Sequence, residues 1–316
     1  MSIINSDKHP LDLYLRTERL PHVWCPGCGL GIALNALLRA MQKIGMDPDK
    51  TVVVSGIGCT GRAAGYLKMD SFHTTHGRAI PFALGIKAAR PDLNVIVFSG
   101  DGDLFSIGGN HIIHAARRNI DITVIGVNNF IYGMTGGQLA PTTPETSITT
   151  TSPYGNLESP FNMPGLLSTA GASYVARWTV VHVRRLEKGL EKALLKRGFS
   201  FVEVMSPCPT AFGRRNGMKG IVDSMKYYEK YAVIKTDPNP LDGVIKPNEP
   251  FYIGEFMDAE DEPTFDDKLW ELTKKDFLES SQADRARWIM EHRRRLETIA
   301  NLIAGDSTHE GGDVHE

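Results

Sequence analysis

The sequence has few cysteines, little net charge and no long apolar run. It has four cysteines among 316 residues and a formal net charge of -2. So small a charge imbalance gives no electrostatic reason to expect nucleic acid as a partner. No apolar stretch is long enough to span a bilayer, so we expect no membrane partner. The first ten residues lack the basic start and apolar run of a signal peptide, which predicts a cytoplasmic location. Thiols remain available to bind metal in such a reducing compartment.

All four cysteines stand beside glycine or proline. Cys25 and Cys28 form W-C-P-G-C-G, Cys59 lies in G-I-G-C-T-G, and Cys208 lies in S-P-C-P-T. Glycine and proline favour loops and let the backbone approach an inorganic centre closely. Four loop thiols with one C-x-x-C pair indicate one four-thiolate metal site.

Three other interpretations of the cysteines compete with an iron–sulfur cluster. Structural zinc also accepts four thiolates, but zinc ribbons usually use two C-x-x-C pairs, so the cluster is favoured. A thioredoxin-like redox centre needs no third or fourth cysteine. A disulfide is not expected, because nothing in the sequence suggests export.

Short apolar runs alternate with helical periodicity between residues 30 and 201. The predicted strands are 51–55, 94–99, 121–127, 173–178 and 199–205, and the predicted helices are 30–44, 77–89, 109–118, 166–172 and 183–195. This alternation predicts an α/β fold, a parallel sheet with helices on both faces, whose ligands bind beyond the carboxyl ends of the strands. Residues 140–164, rich in Thr, Ser and Pro, are expected to form a long ordered loop.

The sequence changes character after Cys208, and no motif follows residue 220. We predict one domain over 1–220, a partly helical extension over 221–305, and a disordered tail over 306–316. Helical periodicity runs from 268 to 304, with a break expected near the serines at 280–281, where a serine N-cap would suit.

Polar residues follow two of the predicted strands. The run G-D-G-D, residues 100–103, follows the second strand, and Asn128 and Asn129 follow the third. Since these strand ends meet at one edge of the sheet, Asp101 and Asn129 predict a magnesium–diphosphate site completed by a nearby backbone carbonyl. Gly102 would let backbone amides approach the phosphates, and a helix N-terminus favours their charge. An ordinary Asp-Gly turn is the alternative.

The run G-I-G-C-T-G also matches the G-x-G-x-x-G pattern of dinucleotide-binding folds. That fold needs an acidic residue at the end of a second strand about twenty residues further on. No predicted strand precedes an acidic residue there, and Cys59 would stand where the phosphate should pass. We therefore do not expect a nicotinamide cofactor.

Taken together, these motifs resemble the β subunit of 2-oxoacid:ferredoxin oxidoreductases. The similar runs, within residues 21–213, are W-C-P-G-C-G, G-I-G-C, H-T-T-H-G-R-A, G-D-G-D-L-F-S-I-G-G-N-H and N-N-F-I-Y-G-M-T-G-G-Q. The run F-H-T-T-H-G-R-A looks most like the 2-oxoglutarate branch. The resemblance implies a reversible, thiamine diphosphate-dependent oxidative decarboxylation of 2-oxoglutarate with coenzyme A, which gives succinyl-CoA and carbon dioxide. Electrons would pass through one 4Fe-4S cluster to ferredoxin.

The resemblance also implies roles for particular residues. Asp101 and Asn129 would bind Mg²⁺ by side chain, and Ile131 by its carbonyl. The residues that would contact the cofactor are Gly58, Gly102, Asp103, Asn129, Gly133 and Thr135, and the cluster ligands would be Cys25, Cys28, Cys59 and Cys208. The sequence holds no second, pyrimidine-binding domain. An α partner chain would therefore supply the glutamate that activates the cofactor, in an (αβ)2 assembly.

Basic residues near these motifs are candidates for substrate contacts. His76 and Arg78 would lie near the substrate carboxylates, and Arg62 could bind the distal carboxylate bidentately. Helix capping or core packing by the histidine, and an ordinary surface arginine, are equally open. Arg214, Arg215 and Lys219 could dock ferredoxin or coenzyme A, although a solvated basic loop is favoured. Two further interpretations are that His111 and His114 pack in the core or on a helix surface, and that Trp24 shields the cluster.

Three alternatives to this function stay open. The same chemistry could act on pyruvate or branched-chain 2-oxoacids. A non-redox thiamine diphosphate decarboxylase would carry structural zinc in place of the cluster. A subunit that only transfers electrons would hold the cluster and would not need G-D-G-D or Asn129.

Overall fold

The structure is a computed structural model that describes residues 9–260 and 262–279, together with residue 290. The chain forms two units, Met1–Asp266 and Asp267–Glu316. The first unit contains both sheets and the candidate site.

An eight-stranded sheet organises the first unit. Its strands are β1 Thr51–Ser55, β2 Asp70–His73, β3 Asn94–Gly100, β4 Thr123–Asn128, β7 Tyr174–Thr179, β8 Ser200–Met205, β9 Ala232–Ile234 and β10 Phe251–Asp258, and a separate two-stranded hairpin is formed by β5 Ile131–Tyr132 and β6 Gln138–Leu139. The order is β2-β1-β3-β4-β8-β7-β10-β9. Neighbouring strands are parallel except β7 and β10, which pair antiparallel.

Helices cover both faces of this sheet. The described helices of the first unit are α1 Leu30–Lys43, α2 Ala79–Ala89, α3 Gly109–Arg117, α4 Met163–Ala170, α5 Val183–Leu195 and α6 Ile221–Tyr231, and α7 Phe265–Glu279 belongs mostly to the second unit. Val53 and Phe98 pack in the core beneath α1 and α5. Their neighbours Val52 and Val97 point to the opposite face and pack with α2, α3 and α4. Strands buried on both faces explain the continuous apolar runs of the sequence. None of these helices is long and apolar enough to cross a membrane.

The predicted α/β fold is confirmed, and each of the ten predicted strands and helices is present with ends within three residues of the prediction. The sequence did not predict β2, α6, β9 or β10, and the antiparallel β10 departs from a wholly parallel sheet. Because β9 and β10 come from beyond residue 220 and join the same sheet, the chain does not become irregular there. The domain division at 220 stays a prediction. The predicted tail 306–316 and the helix break near 280–281 lie outside the described residues.

Candidate active site

Four adjacent parallel strands carry the polar loops to one edge of the sheet. From β1, β3, β4 and β8 the chain leads to Cys59, Asp101, Asn129 and Cys208 respectively. A cavity of about 150 Å³ opens at this edge. The predicted site residues that line it are Gly58, Cys59, His76, Asp101, Gly102, Asp103, Asn129, Ile131, Gly133 and Thr135.

Asp101 is a buried carboxylate at the floor of the cavity. It is 3% exposed and accepts a hydrogen bond from the Thr142 hydroxyl. Burial raises the pKa of Asp101 to about 6, although hydrogen bonds from Thr142 and the backbone oppose the shift. A cation beside this carboxylate would favour its charged form, so the residue fits a magnesium ligand.

The turn that carries Asn129 is held in a strained shape. Phe130 has a φ of 66°, a left-handed conformation that an aromatic residue rarely adopts. Its N–H donates to Asn128 Oδ1 at 3.1 Å, and its carbonyl accepts from Thr143 Oγ1 at 2.6 Å. Asn129 Oδ1 in turn accepts from the Ile131 N–H at 3.3 Å. Backbone strain of this kind persists where its surroundings over-determine it, which is common at functional sites.

Asp103 joins three separate loops beneath the cavity. Its Oδ1 accepts from the backbone N–H of Ile57 at 3.1 Å, from that of Gly77 at 2.8 Å, and from His76 Nδ1 at 2.5 Å. Its Oδ2 accepts from Ser99 Oγ at 2.7 Å. The residue lines the cavity, but protein donors occupy both of its carboxylate oxygens, and its contact with a cofactor stays a prediction.

Gly102 is confined by an aromatic side chain. The Tyr132 hydroxyl donates to the Gly102 carbonyl at 2.9 Å. A Cβ at Gly102 would lie 2.4 Å from a carbon of the Tyr132 ring, closer than atoms can approach. Glycine is therefore required here by the ring that closes this side of the cavity.

Gly133, which lines the cavity, lies close to two of the four thiols. A Cβ built on Gly133 would lie 3.5 Å from Cys208 Sγ and 3.6 Å from Cys59 Sγ. Burial, together with the charges of the other three cysteines, raises the pKa of the Cys28 thiol to about 12, although a hydrogen bond from the Leu30 backbone opposes the shift. Burial, then Cys208 and Cys25, also raise the pKa of Cys59. Cys28 and Cys59 thus lie close enough to other cysteines for the charges of those neighbours to affect them, and all four cysteines are free of disulfides.

Among the described residues, the four thiols do not form a site for a single metal ion. Within the part of the chain that the structure describes, no three His, Cys, Asp or Glu side chains converge on one ion. A 4Fe-4S cluster takes four cysteine thiolates around a larger centre. Trp24, which is 7% exposed, packs beside these loops and donates from Nε1 to the Cys59 carbonyl at 2.7 Å. A magnesium ion that shares diphosphate oxygens needs few protein ligands.

The structure brings His76 to the cavity, whereas neither predicted arginine is among the residues that line it. Arg78 is exposed and contacts His111 Nε2 on α3, and Arg62 is exposed on the short helix after Cys59. Burial and the charge of Arg78 lower the pKa of His111. The substrate roles of these arginines stay predictions.

Four other predicted residues are not among those that line the cavity. Arg214 and Lys219 are exposed, whereas Arg215 donates to the Ala211 carbonyl at 2.8 Å. His114 Nδ1 accepts from Arg117 at 3.1 Å on α3. That contact agrees with the predicted helix-surface role.

Sequence reasoning missed three groups of the site. Thr142 holds Asp101, Tyr132 caps Gly102, and Glu203 contacts Asn128 behind the turn. Thr142 lies in a threonine-rich loop and Glu203 in an apolar strand, so neither carries a local signal. The Asn128-Asn129 pair gave a signal, but only the second residue received a role.

Comparison with known proteins identifies the class of this domain. Residues 56–204 match the family described as thiamine pyrophosphate enzyme, C-terminal TPP binding domain. A 2-oxoglutarate:ferredoxin oxidoreductase from Magnetococcus marinus superposes with a TM-score of 0.78 at 32% identity, covering 90% of this chain and 96% of that chain. The sheet and its edge cavity thus define a thiamine diphosphate-binding domain.

Curated relatives narrow the class to a family. The 2-oxoglutarate synthase subunit KorB of Methanothermobacter marburgensis is 52% identical over 261 residues, 81% of this chain and 90% of the relative. The β subunit of 2-oxoacid:ferredoxin oxidoreductase 2 of Aeropyrum pernix is 40% identical over 228 residues, 72% of this chain and 71% of the relative. The chain belongs to the family of 2-oxoacid:ferredoxin oxidoreductase β subunits, as its motifs predicted.

Proposed function

We propose that this chain is the β subunit of a 2-oxoglutarate:ferredoxin oxidoreductase. With coenzyme A, the enzyme would convert 2-oxoglutarate to succinyl-CoA and carbon dioxide and pass the electrons to ferredoxin. The name of the Methanothermobacter relative and the Magnetococcus structure, which contains 2-oxoglutarate, coenzyme A and succinyl-CoA, support this substrate. They favour it over pyruvate and branched-chain 2-oxoacids.

The position of Gly133 carries the proposal. This residue lines the cavity, and a Cβ on it would lie within 3.6 Å of the sulfurs of both Cys59 and Cys208. A cofactor in the cavity and a cluster on the thiols would therefore be near neighbours. An electron-transfer subunit without a cofactor would have no use for the buried Asp101 that lines the same cavity.

The chain's own residues would hold and orient the two groups. When bound, thiamine diphosphate supplies the electron sink for decarboxylation, and a 4Fe-4S cluster accepts single electrons. Asp101, Asn129 and the Ile131 carbonyl would hold Mg²⁺, and Gly102 would let the backbone approach the diphosphate. Asp103 fixes His76 through Nδ1. Nε2 is then the ring nitrogen available to a substrate oxygen.

The assembly would need other chains. Glutamate activation of the cofactor would come from an α subunit, in an (αβ)2 arrangement, because this chain supplies one thiamine diphosphate-binding domain. Ferredoxin would be the electron acceptor.

Electron paramagnetic resonance with iron and zinc analysis tests the proposal. The chain is purified without oxygen together with its α subunit, and spectra are recorded before and after 2-oxoglutarate and coenzyme A. We expect about four iron atoms per chain and a cluster signal that appears with substrate. Zinc without iron, and no signal, would replace the proposal with a non-redox thiamine diphosphate decarboxylase. Pyruvate in place of 2-oxoglutarate tests the substrate choice, and faster turnover of pyruvate would contradict it.

Asp101→Ala separates the cofactor site from the cluster site. Because Asp101 would be a magnesium ligand and is not one of the four cluster cysteines, the variant should keep its iron and lose cofactor binding and turnover. Since even residues behind a metal ligand typically change affinity 10–100-fold, we expect a loss of on the order of 100-fold or more. Asp92→Asn, an exposed surface carboxylate, is the control. Unchanged turnover in Asp101→Ala would favour a subunit that only transfers electrons.

A further inference from the structure

Three buried polar side chains, Asn128, Glu203 and Arg177, are joined by hydrogen bonds into a line that ends at the turn carrying Asn129. Asn128 Nδ2 donates to Glu203 Oε1 at 2.8 Å, and Arg177 Nε donates to Glu203 Oε2 at 2.6 Å. The three residues stand on the adjacent strands β4, β8 and β7, and none is more than 2% exposed. A charged pair thus crosses the middle of the sheet.

Stability alone does not account for this pair. The desolvation free energy of two buried charges offsets most of the free energy of their attraction. Replacing a buried ion pair with apolar residues is therefore often neutral or stabilising. Strand positions buried on both faces elsewhere in this sheet carry Val, Ile and Phe. A fully paired buried network instead gives one unique arrangement of the groups that it connects.

The line joins two distant parts of the chain. At one end, Asn128 Oδ1 accepts from the N–H of Phe130, whose left-handed backbone sets the Asn129 turn. At the other end, Arg177 Nη2 donates to the Gly243 carbonyl at 2.8 Å and Nη1 to the Tyr252 carbonyl at 3.5 Å. The second end lies in the region after residue 220, to which no motif gave a role.

We propose that Arg177, Glu203 and Asn128 are positioning residues that fix the turn of residues 128–131 for magnesium and thiamine diphosphate. This inference rests on the proposed function, because it takes Asn129 and the Ile131 carbonyl as metal ligands. Through this line the segment around Gly243 and Tyr252 contributes to cofactor affinity without touching the cofactor.

The hydrogen-bond roles dictate the informative variants. Glu203 receives two donors on two oxygens, whereas a glutamine there offers one carbonyl oxygen and would leave one donor unpaired. Asn128→Asp keeps an acceptor for the Phe130 N–H but loses the donor to Glu203 and faces it with like charge. The double variant Asn128→Asp/Glu203→Gln reverses the bond, since the introduced amide can donate to the introduced carboxylate while its oxygen still accepts from Arg177.

The test measures cofactor binding in the complex of this chain with its α subunit. Mn²⁺ replaces Mg²⁺, and its affinity in the presence of thiamine diphosphate is read by electron paramagnetic resonance. The thermal unfolding midpoint of each cofactor-depleted complex is measured in parallel. We expect Asn128→Asp and Glu203→Gln each to weaken Mn²⁺ binding about 10-fold or more, as residues behind metal ligands typically do. The double variant should recover most of that loss.

Thr123→Val is the matched control. Thr123 lies at the opposite end of β4, is buried, and donates to the Ala193 carbonyl at 3.2 Å. Its loss should lower the unfolding midpoint but change Mn²⁺ affinity by less than about twofold, since it shares no partner with the turn.

Three outcomes would overturn the inference, and they are distinguishable. If the wild-type complex binds Mn²⁺ and thiamine diphosphate but both single variants bind them equally well, the line is structural only and the proposed function stands. If the wild-type complex binds neither, the proposed function fails and this inference fails with it. If Glu203→Gln does not fold, Asn128→Asp and the double variant still test the inference. A folded double variant whose Mn²⁺ affinity stays as low as that of Asn128→Asp would contradict the positioning role of the line.

Discussion

At Gly102, the absence of a methyl group leaves room for the Tyr132 ring that forms a wall of the site. We predict that Gly102→Ala displaces the Tyr132 ring, because the new Cβ would lie 2.4 Å from it. Overpacking of this kind costs about 1–3 kcal/mol, and the shift also moves a wall of the cofactor cavity. Urea unfolding and a thiamine diphosphate titration measure the two effects.

Gly109→Ala provides the comparison, since nothing lies within 4 Å of a Cβ there and the residue is in helix α3. It should stabilise the chain by about 0.4–1 kcal/mol through the unfolded state. If the two substitutions changed the free energy of unfolding and the thiamine diphosphate affinity equally, the Tyr132 contact would not constrain Gly102.

Single positions also show what the sequence could reveal about the site. Asp101 and Asn129 were predicted because parallel strands end at a common edge, so their spacing along the chain implies proximity. Thr142 was not, because its contact with Asp101 depends on how a long loop folds back. Arg177 and Glu203 resemble solvent-facing strand residues in the sequence, and only the neighbouring strands bury them.

Among the helices and strands, the antiparallel β10 depends on side-chain contacts with α5. Lys192 on α5 lies 2.7 Å from Glu255 and 2.8 Å from Asp258. Burial raises the pKa of Asp258, but the hydrogen bonds and charges of Lys192 and Lys196 outweigh it, so the pKa is lowered. The ionised carboxylate is therefore favoured by folding.

We predict that Lys192→Met lowers the free energy of unfolding by about 1 kcal/mol or less at pH 7, because the pair is partly exposed. Since the folded pKa of Asp258 is depressed, this contribution is present above its ordinary pKa and is lost as the pH falls through the lowered value. Urea unfolding at several pH values measures it. Lys50→Met, which removes an exposed pair with Asp92, should have no measurable effect. A loss that persisted unchanged in acid would contradict the prediction.

Some strands can be recognised from an apolar pattern in their own sequence, whereas others form only through pairing with neighbouring strands. Residues 51–55 and 94–100 are β-branched or aromatic runs buried on both faces, which is why periodicity found β1 and β3. Strand β2, with the sequence DSFH, lies at the sheet edge and is mostly exposed, so it has no apolar pattern. Strand β10 contains Gly254 and Glu255 in an interrupted apolar run. Its pairing with β7 forms between segments more than seventy residues apart, which local patterns do not report.

For the chain as a whole, truncated chains can show where the cooperatively folded region ends. Phe251 and Ile253 belong to one face of the core and Phe256 to the other, and the Tyr228 hydroxyl donates to the Ser206 carbonyl at 3.2 Å beside the candidate site. We predict that a chain ending at residue 220 is insoluble or lacks fixed tertiary structure, because it loses these contacts and leaves β7 as an exposed edge. A chain ending at residue 279 should fold.

Near-ultraviolet circular dichroism and size-exclusion chromatography compare the two truncated chains. A folded, soluble chain of residues 1–220 would support the domain division predicted from the sequence and would contradict this prediction.

The four hydrogen bonds to Asp103 have a consequence for the order in which the protein matures. Its donors come from the loop after β1, the loop before α2 and the end of β3, and they lie between four and forty-six residues from Asp103 along the chain. None of these loops has its final shape until the strands are in register. A partly folded chain would therefore offer no preformed pocket, and the capacity to take up a cofactor would arise together with the global fold rather than ahead of it.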